Sequence, residues 1–443
     1  MKTSLIATIS TSKVIFPKTF VVVGVVMASM LCWGRSPAHA SFQSRGEVAF
    51  EGRVFTADDD PGTQDYNAGL FTRLEARNSH HFIKEKIRLY GRLDAEDDAR
   101  TLLVIEEAWV QAKVKPFELR LGIDLLNWSA TEAFHPADVF NSRNLDSDFE
   151  RYEKVGEPMA ALSSTIPGGS VTLIYMPLFV APKLPSPHSR TAFAGVDPIT
   201  GDRLVISQTL ALDVHGNRLG ADHVANQGAL RLRQSFLGAD VELHLVHHVD
   251  RQQPEVGLLP SSATPVLIYR TVTQLGATYQ QACGALLVKV EGAYRWFTPN
   301  RRNGPWGPLL PRDHGQLALG LEYGLPHSSG AESSLIAEGQ GIVGVGDARA
   351  AALSIFQRDV LLGYRLAFND VQSRAVFASV IMDVQRPEEI FAAVSYSQRL
   401  GETWQLSLAA RFFHAPPRRG GQPFGLQLLD KADHLRIILS RYF

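Results

Sequence analysis

The stretch Leu435 to Phe443, LRIILSRYF, constrains the fold more than any other part of the chain. Successive side chains of a strand point to opposite faces. Leu435, Ile437, Leu439 and Phe443 therefore share one face, and Arg436 and Ser440 the other. An aqueous sheet gains little from an apolar face that runs on to a terminal aromatic. A transmembrane barrel needs such a face for lipid, and its last strand must close onto its first. Arg441 departs from the pattern on the outward side, where a snorkelling arginine near the interface costs little.

The other end of the chain carries an independent signal. Lys2, Lys13 and Lys18 precede an apolar run from Phe20 to Cys32, and Ala38-His39-Ala40 follows. This is the layout of a secretory leader with an A-x-A cleavage site. The run is about 13 residues, short of the roughly 20 that a spanning helix needs. The expected organisation is a cleaved leader over 1–40 and a single barrel domain over 41–443. Removing the leader leaves 40 basic residues against 45 acidic ones, a balance that argues against nucleic acid as a partner. Cys283 is then the one remaining cysteine, so no intramolecular disulfide can form.

Composition separates the two kinds of membrane protein. Hydrophobic residues make up 45% of the chain, and no stretch after the leader is apolar enough for a spanning helix. A barrel needs apolar residues only at alternate positions, so its composition looks ordinary. Leu286 to Trp296 shows the alternation most clearly. Leu286, Val288, Val290, Tyr294 and Trp296 oppose Lys289, Glu291 and Arg295. The same pattern recurs at Leu119–Leu125, Leu317–Tyr323, Leu362–Phe368 and Trp404–Phe412. Short turns are expected near Ser79, Pro116, Gly168, Gly238, Gly284, Ser328, Asp370 and Gly401. Longer connections alternate with them, and two are large, about 127–156 and about 177–227. Short periplasmic turns and long outer loops are the asymmetry of outer-membrane barrels. The predicted fold is all-β, an antiparallel up-and-down transmembrane barrel of about 18 strands, within a range of roughly 16 to 20. No repeat of fixed period supports a soluble propeller or β-helix.

The lumen face is the complement of the apolar one. Its candidate pore-lining residues are Arg92, Arg120, Asp124, Arg231, Arg233, Glu242, Arg270, Lys289, Glu291, Arg295, Arg365, Arg411 and Arg436. Basic residues dominate this set, and a basic lumen attracts anions. Pairing of arginine with acid across neighbouring strands would instead neutralise the wall; both readings stay open. Either large loop would serve as a constriction or as a surface loop.

From Leu121 to Pro177 the chain resembles porin-like proteobacterial outer-membrane barrels. The residues that carry the likeness are Gly122, Trp128, Pro136, Asp138, Asn141, Arg143 and Pro177, with Phe179, Lys183, Leu184 and Pro185 continuing it. The C-terminal strand is likewise similar to the assembly signature of such barrels, with Leu435, Ile437, Leu439 and Phe443 as its residues. The resemblance implies a channel in the bacterial outer membrane, with Trp128, Asp138, Asn141 and Arg143 as candidate functional residues of its loop. It also implies lipid, lipopolysaccharide and the barrel assembly machinery as partners. The strand count and Arg-rich lumen also resemble alginate-export-type barrels, which implies a secretion porin for an acidic exopolysaccharide as the alternative. A non-conducting barrel is a third reading.

Other constellations point to little chemistry. His244 and His248 share a strand face but lie about 13 Å apart by strand rise, too far to share a metal. Asp58-Asp59-Asp60 and Asp146-x-Asp148 are loop acids of the kind that bind Ca²⁺. The Ser, His and Asn or Asp pattern of a barrel phospholipase is absent, and Asp313-His314-Gly315 is its nearest fragment. The sequence predicts no cofactor, no metal centre and no catalytic residue. It does not set the solute or the oligomeric state.

Overall fold

The computed structural model describes residues 41–57, 62–149, 152–192, 194–196, 203–205, 211–220, 223–252, 254–258, 265–298, 312–416 and 425–443. Residues 1–40, expected above to be a leader, and Asp58-Asp59-Asp60 fall outside them.

Eighteen antiparallel strands form one sheet that closes on itself. In chain order they are β1 (Ser41–Phe55), β2 (Tyr66–His80), β3 (Ile83–Asp94), β4 (Leu102–Val114), β5 (Phe117–Asp124) and β6 (Glu157–Ile166). Then come β7 (Gly169–Leu178), β8 (Val224–Phe236), β9 (Ala239–Val249), β10 (Thr271–Cys283), β11 (Leu286–Phe297) and β12 (His314–Pro326). The last six are β13 (Glu332–Val343), β14 (Arg358–Ala367), β15 (Ala375–Asp383), β16 (Ile390–Leu400), β17 (Trp404–His414) and β18 (His434–Tyr442). Each pairs with its sequence neighbours, and β18 pairs with β1 from Phe55↔His434 to Glu47↔Tyr442. The strand count and all eight short turns match the sequence expectation. The turns after β2 and β10 sit one or two residues later than the turn residues suggested.

The two faces differ as lipid and lumen require. Along β11, Tyr294 and Trp296 are exposed on the outside while Ala293, Arg295 and Phe297 are buried inside. Leu435, Ile437 and Phe443 face outward, as the alternation predicts. Outward aromatics gather toward both rims, with Phe117, Phe236, Tyr323 and Trp404 at the short-turn end and Tyr66, Tyr175 and Trp296 at the other. Among the described residues no helix is long and apolar enough to cross a membrane, and Asp347–Leu353 forms one short α-helix.

The closing seam depends on a missing side chain. Phe443 exchanges two backbone hydrogen bonds with Gly46, at 2.8 and 3.0 Å. Its ring lies where a Cβ on Gly46 would stand, 2.2 Å from that position. A side chain there must push the ring off β1. Gly46→Val is expected to cost about 1–3 kcal/mol, the range for overpacking a filled site. Gly341→Ala, with open space around it, should cost far less. The heat-modifiable electrophoretic mobility of the folded barrel checks both variants, and equal behaviour would overturn the account.

Candidate functional site

The connection between β5 and β6, residues 125–156, turns into the barrel instead of standing on its rim. Its apolar residues explain why: Trp128, Phe134, Val139 and Phe140 would all be wetted on a surface loop, and here none is more than 3% exposed. Trp128 meets Phe140 edge-on at 4.1 Å and His244 of β9 at 4.8 Å, and the Arg231 guanidinium lies 4.9 Å from its ring. Both loop aromatics pack on Met159, Ile174, Met176, Ala229 and Val246 of β6–β9. Phe134 packs instead on Ala318, Ile336, Leu361, Ile381 and Phe391, which belong to β12–β16. One loop thus contacts the inner wall from β6–β9 round to β12–β16, crossing inside the lumen.

Wall carboxylates hold the crossing loop by its backbone. Glu291 of β11 accepts from the amides of Ala130 and Ala137, each at 2.9 Å, and from the Thr131 hydroxyl at 2.9 Å. Glu338 of β13 accepts from the Ala133 amide at 2.9 Å and from the Glu132 amide. Charge-assisted bonds of this kind are the strong ones. Asn141 ties the two limbs together. Its Oδ1 accepts from the Leu126 amide, and its Nδ2 donates to the carbonyls of Asp124 and Val155. Asp138 pairs with Arg143 at 3.1 Å and Lys154 at 2.6 Å. At the far side Glu132 pairs with Arg365 at 2.8 Å, and Asp148 with Arg411 and Arg436. Burial raises the Asp148 carboxyl, but Arg436 and Arg411 overcome that and hold it well below the usual carboxylate range.

Asp146 and Asp148, noted above as loop acids of the kind that bind Ca²⁺, are both paired with arginines. Asp146 accepts from Arg100, a fully buried guanidinium that also holds Asp94 and Glu51. No group of three or more metal-ligating side chains occurs among the described residues.

The predicted inward residues divide into two sets. Glu291, Arg295, Arg92 and Asp124 face inward but are covered. Glu291 seats the loop, and Arg295 donates to Gln274 and Gln252. Arg92 donates to the Arg100 carbonyl. Arg270 lies in the connection before β10, where it pairs with Glu255. The second set stands in the short-turn half: Arg120 with Asp124, Arg231 and Arg233 with Glu242, and Lys289 and Arg365 with Glu322.

Several pairs of the short-turn half are asymmetric. Arg45 is 67% exposed and its partner Glu75 5%; Arg233 is 58% and Glu242 14%; Arg120 is 31% and Asp124 3%. The order reverses at Lys289 with Glu322, at Arg411 and Arg436 with Asp148, at Arg270 with Glu255, and at the buried Arg53 and Arg100 with Glu51. In the short-turn half the wall thus pairs its charges yet leaves the guanidinium groups of Arg45, Arg120 and Arg233 more exposed than their acids. A cavity of about 360 Å³ remains between the loop and β14–β18, lined by Glu132, Phe149, Arg365, Phe377, Arg411 and Arg436 among others.

Sequence reasoning missed Glu106, and the reason is a bulge. Pairing of β3 with β4 shifts between Arg88↔Glu107 and Leu89↔Ile105. The extra residue lets both Glu106 and Glu107 reach inward, to Arg73 and Arg88 and to Lys86. Strict alternation puts one of two adjacent residues outside. Glu132 and Asp148 were missed because loop residues follow no period. Arg45 was legible: it alternates with Gly46 and Val48 at the start of β1.

No family model matches the chain, and no curated protein matches it. Solved structures share its fold. OccK11 (OpdR) of Pseudomonas aeruginosa aligns with 90% of this chain and 96% of its own, at 13% identity and a TM-score of 0.50. OccD3 (OpdP) of the same organism aligns over 91% of both chains, again at 13% identity and a TM-score of 0.50. The fold is that of a porin-like outer-membrane barrel.

Two outcomes are expected at the loop. Glu291→Ala removes the acceptor for four loop donors, at about 1.5–3 kcal/mol for each bond to a charged group. The loop should become sensitive to protease in the folded barrel, while Glu402→Ala, at a short turn, should leave it protected. The second concerns acid. Burial, aided by Arg143 and Lys154 and opposed by Asp138, lowers the His135 imidazole to about 4 from an ordinary 6.5. Released loop would bind a proton between those values and seated loop would not, so seating strengthens with rising pH. It should be fully present above pH 6.5 and weaken as pH falls toward 4. His135→Gln should flatten that dependence, read as loop protection between pH 7 and 4.

Proposed function

We propose that the mature chain, Ser41 to Phe443, is an outer-membrane channel for small polar solutes, with a preference for anions. The observation that carries this reading is the asymmetry of the lumen pairs, in which buried carboxylates hold arginines that remain exposed. Such a wall is close to neutral in sum but meets a solute with positive charge, and a low-dielectric lumen strengthens that field. The folded loop supports small solutes over an acidic polysaccharide. It contacts both sides of the lumen, and the cavity beside it, about 360 Å³, is the size of a small molecule. A polymer would need the loop to leave its seats on Glu291 and Glu338. The likeness in fold to OccK11 and OccD3 supports a channel and not a particular solute.

The remaining partners follow from the same reading. The 1–40 leader directs export, the outward face of Leu435, Ile437, Leu439 and Phe443 engages the assembly machinery, and lipopolysaccharide surrounds the outer rim.

A planar bilayer holding the purified mature protein tests the proposal through the reversal potential in a salt gradient. The wild type should conduct and favour anions. Arg45→Glu with Arg233→Glu should move selectivity toward cations several-fold. Their partners Glu75 and Glu242 keep other cations, Arg77 and Lys86 for one and Arg231 for the other. Absence of conductance at every voltage would overturn the channel reading. Conductance unchanged in selectivity by the double variant would overturn the anion preference alone.

A further inference from the structure

We propose that the outer surface at the β1–β18 seam is a binding site for one anionic glycerophospholipid of the periplasmic leaflet, with Arg441 on its phosphate. Among the described residues the outward faces of the wall strands carry two arginines and no lysine. Arg358 is ion-paired to Asp347 at the long-loop rim, 3.1 Å away. Arg441 stands at the short-turn rim, which faces the periplasm in such barrels, and has no ion-pair partner among the described residues.

The surroundings of Arg441 form a groove. Val48, Phe50, Leu70, Trp404, Leu439 and Phe443 line it with the arginine. Register sets its depth. Arg441 is level with Val48 on one side and Trp404 on the other. Leu439 is level with Phe50, which is level with Leu70. That second row lies two residues farther into the membrane, about 7 Å by strand rise. A cation therefore sits at the mouth of an apolar groove that runs inward along the strands. The Trp404 ring centre is 5.8 Å from the Arg441 guanidinium carbon, within reach of a cation–π contact that steadies it.

A phospholipid fits this order of chemistries: phosphate at the guanidinium, acyl chain over Val48, Leu439, Phe50 and Leu70. Guanidinium is the group best matched to phosphate oxygens, through paired N–H donors. The site is on the outside of the wall, so it stands apart from whether the lumen conducts.

Native mass spectrometry of the folded protein in detergent, titrated with dioleoylphosphatidylglycerol, tests the site. One saturable adduct should persist on the wild type. Arg441→Gln should lower its affinity about tenfold, equivalent to about 1.4 kcal/mol. Val48→Trp, which keeps the charge and fills the groove, should lower it comparably. Arg399→Gln, on the inward face of the same rim, should not change it. Heat-modifiable mobility establishes that each variant is folded, and Val48→Trp decides alone if Arg441→Gln is not. Equal binding by either folded groove variant would overturn the proposal. So would equal retention of uncharged dioleoylglycerol, or a preference for lipid A, which would mark an outer-leaflet ligand.

Discussion

Inside a bilayer an unpaired backbone amide has no water to turn to. Everything in this molecule follows from satisfying that requirement with strands. Eighteen of them pair in one ring, and the ring has no edge because Gly46 and Phe443 complete it. Closure then dictates the side chains. Each strand must be apolar on one face, so polar chemistry is confined to the other. The concentration of arginine and glutamate inside is the geometric remainder of an exterior built for lipid.

The interior has a second constraint, which is that charge is costly wherever it loses water. The wall resolves it in two ways. Where the loop covers it, acids are used as acceptors for backbone amides, as at Glu291 and Glu338, or in closed pairs such as Glu157 with Arg251. Where the lumen is open, the shorter acid lies against the wall and the longer arginine reaches past it. Arg45 over Glu75 and Arg233 over Glu242 show the same arrangement on separate strands. At these two pairs the longer side chain carries the exposed charge.

Much of the fold was legible because lipid enforces a period of two. The strand at Leu286 to Phe297 faces as its alternation predicts, and the eight turn signals fall where strands reverse. Legibility ended where the period ended. The bulge at Glu106 turns a second acid inward, and no local signal marks it. The loop was visible as a long connection with aromatic residues, but its destination was not. Phe134 finds its partners on β12–β16, far along the chain, and only tertiary packing brings them together. Burial was the other blind spot: Arg295 and Arg120 look alike in sequence, and one lies beneath loops while the other meets the lumen.

The seats of the crossing loop have a consequence for how such a protein can change. Glu291 and Glu338 grip amides of residues 130–133 and 137, and Thr131 is the one side chain they hold. Every residue except proline carries that amide. At these few positions placement and chemistry are thereby uncoupled: a substitution at 130 or 132 can alter what a passing molecule meets while Trp128, Phe134, Phe140 and Asn141 keep the loop where it sits. A lineage that kept the two wall glutamates and the loop's buried anchors could explore new permeants by point mutation between them.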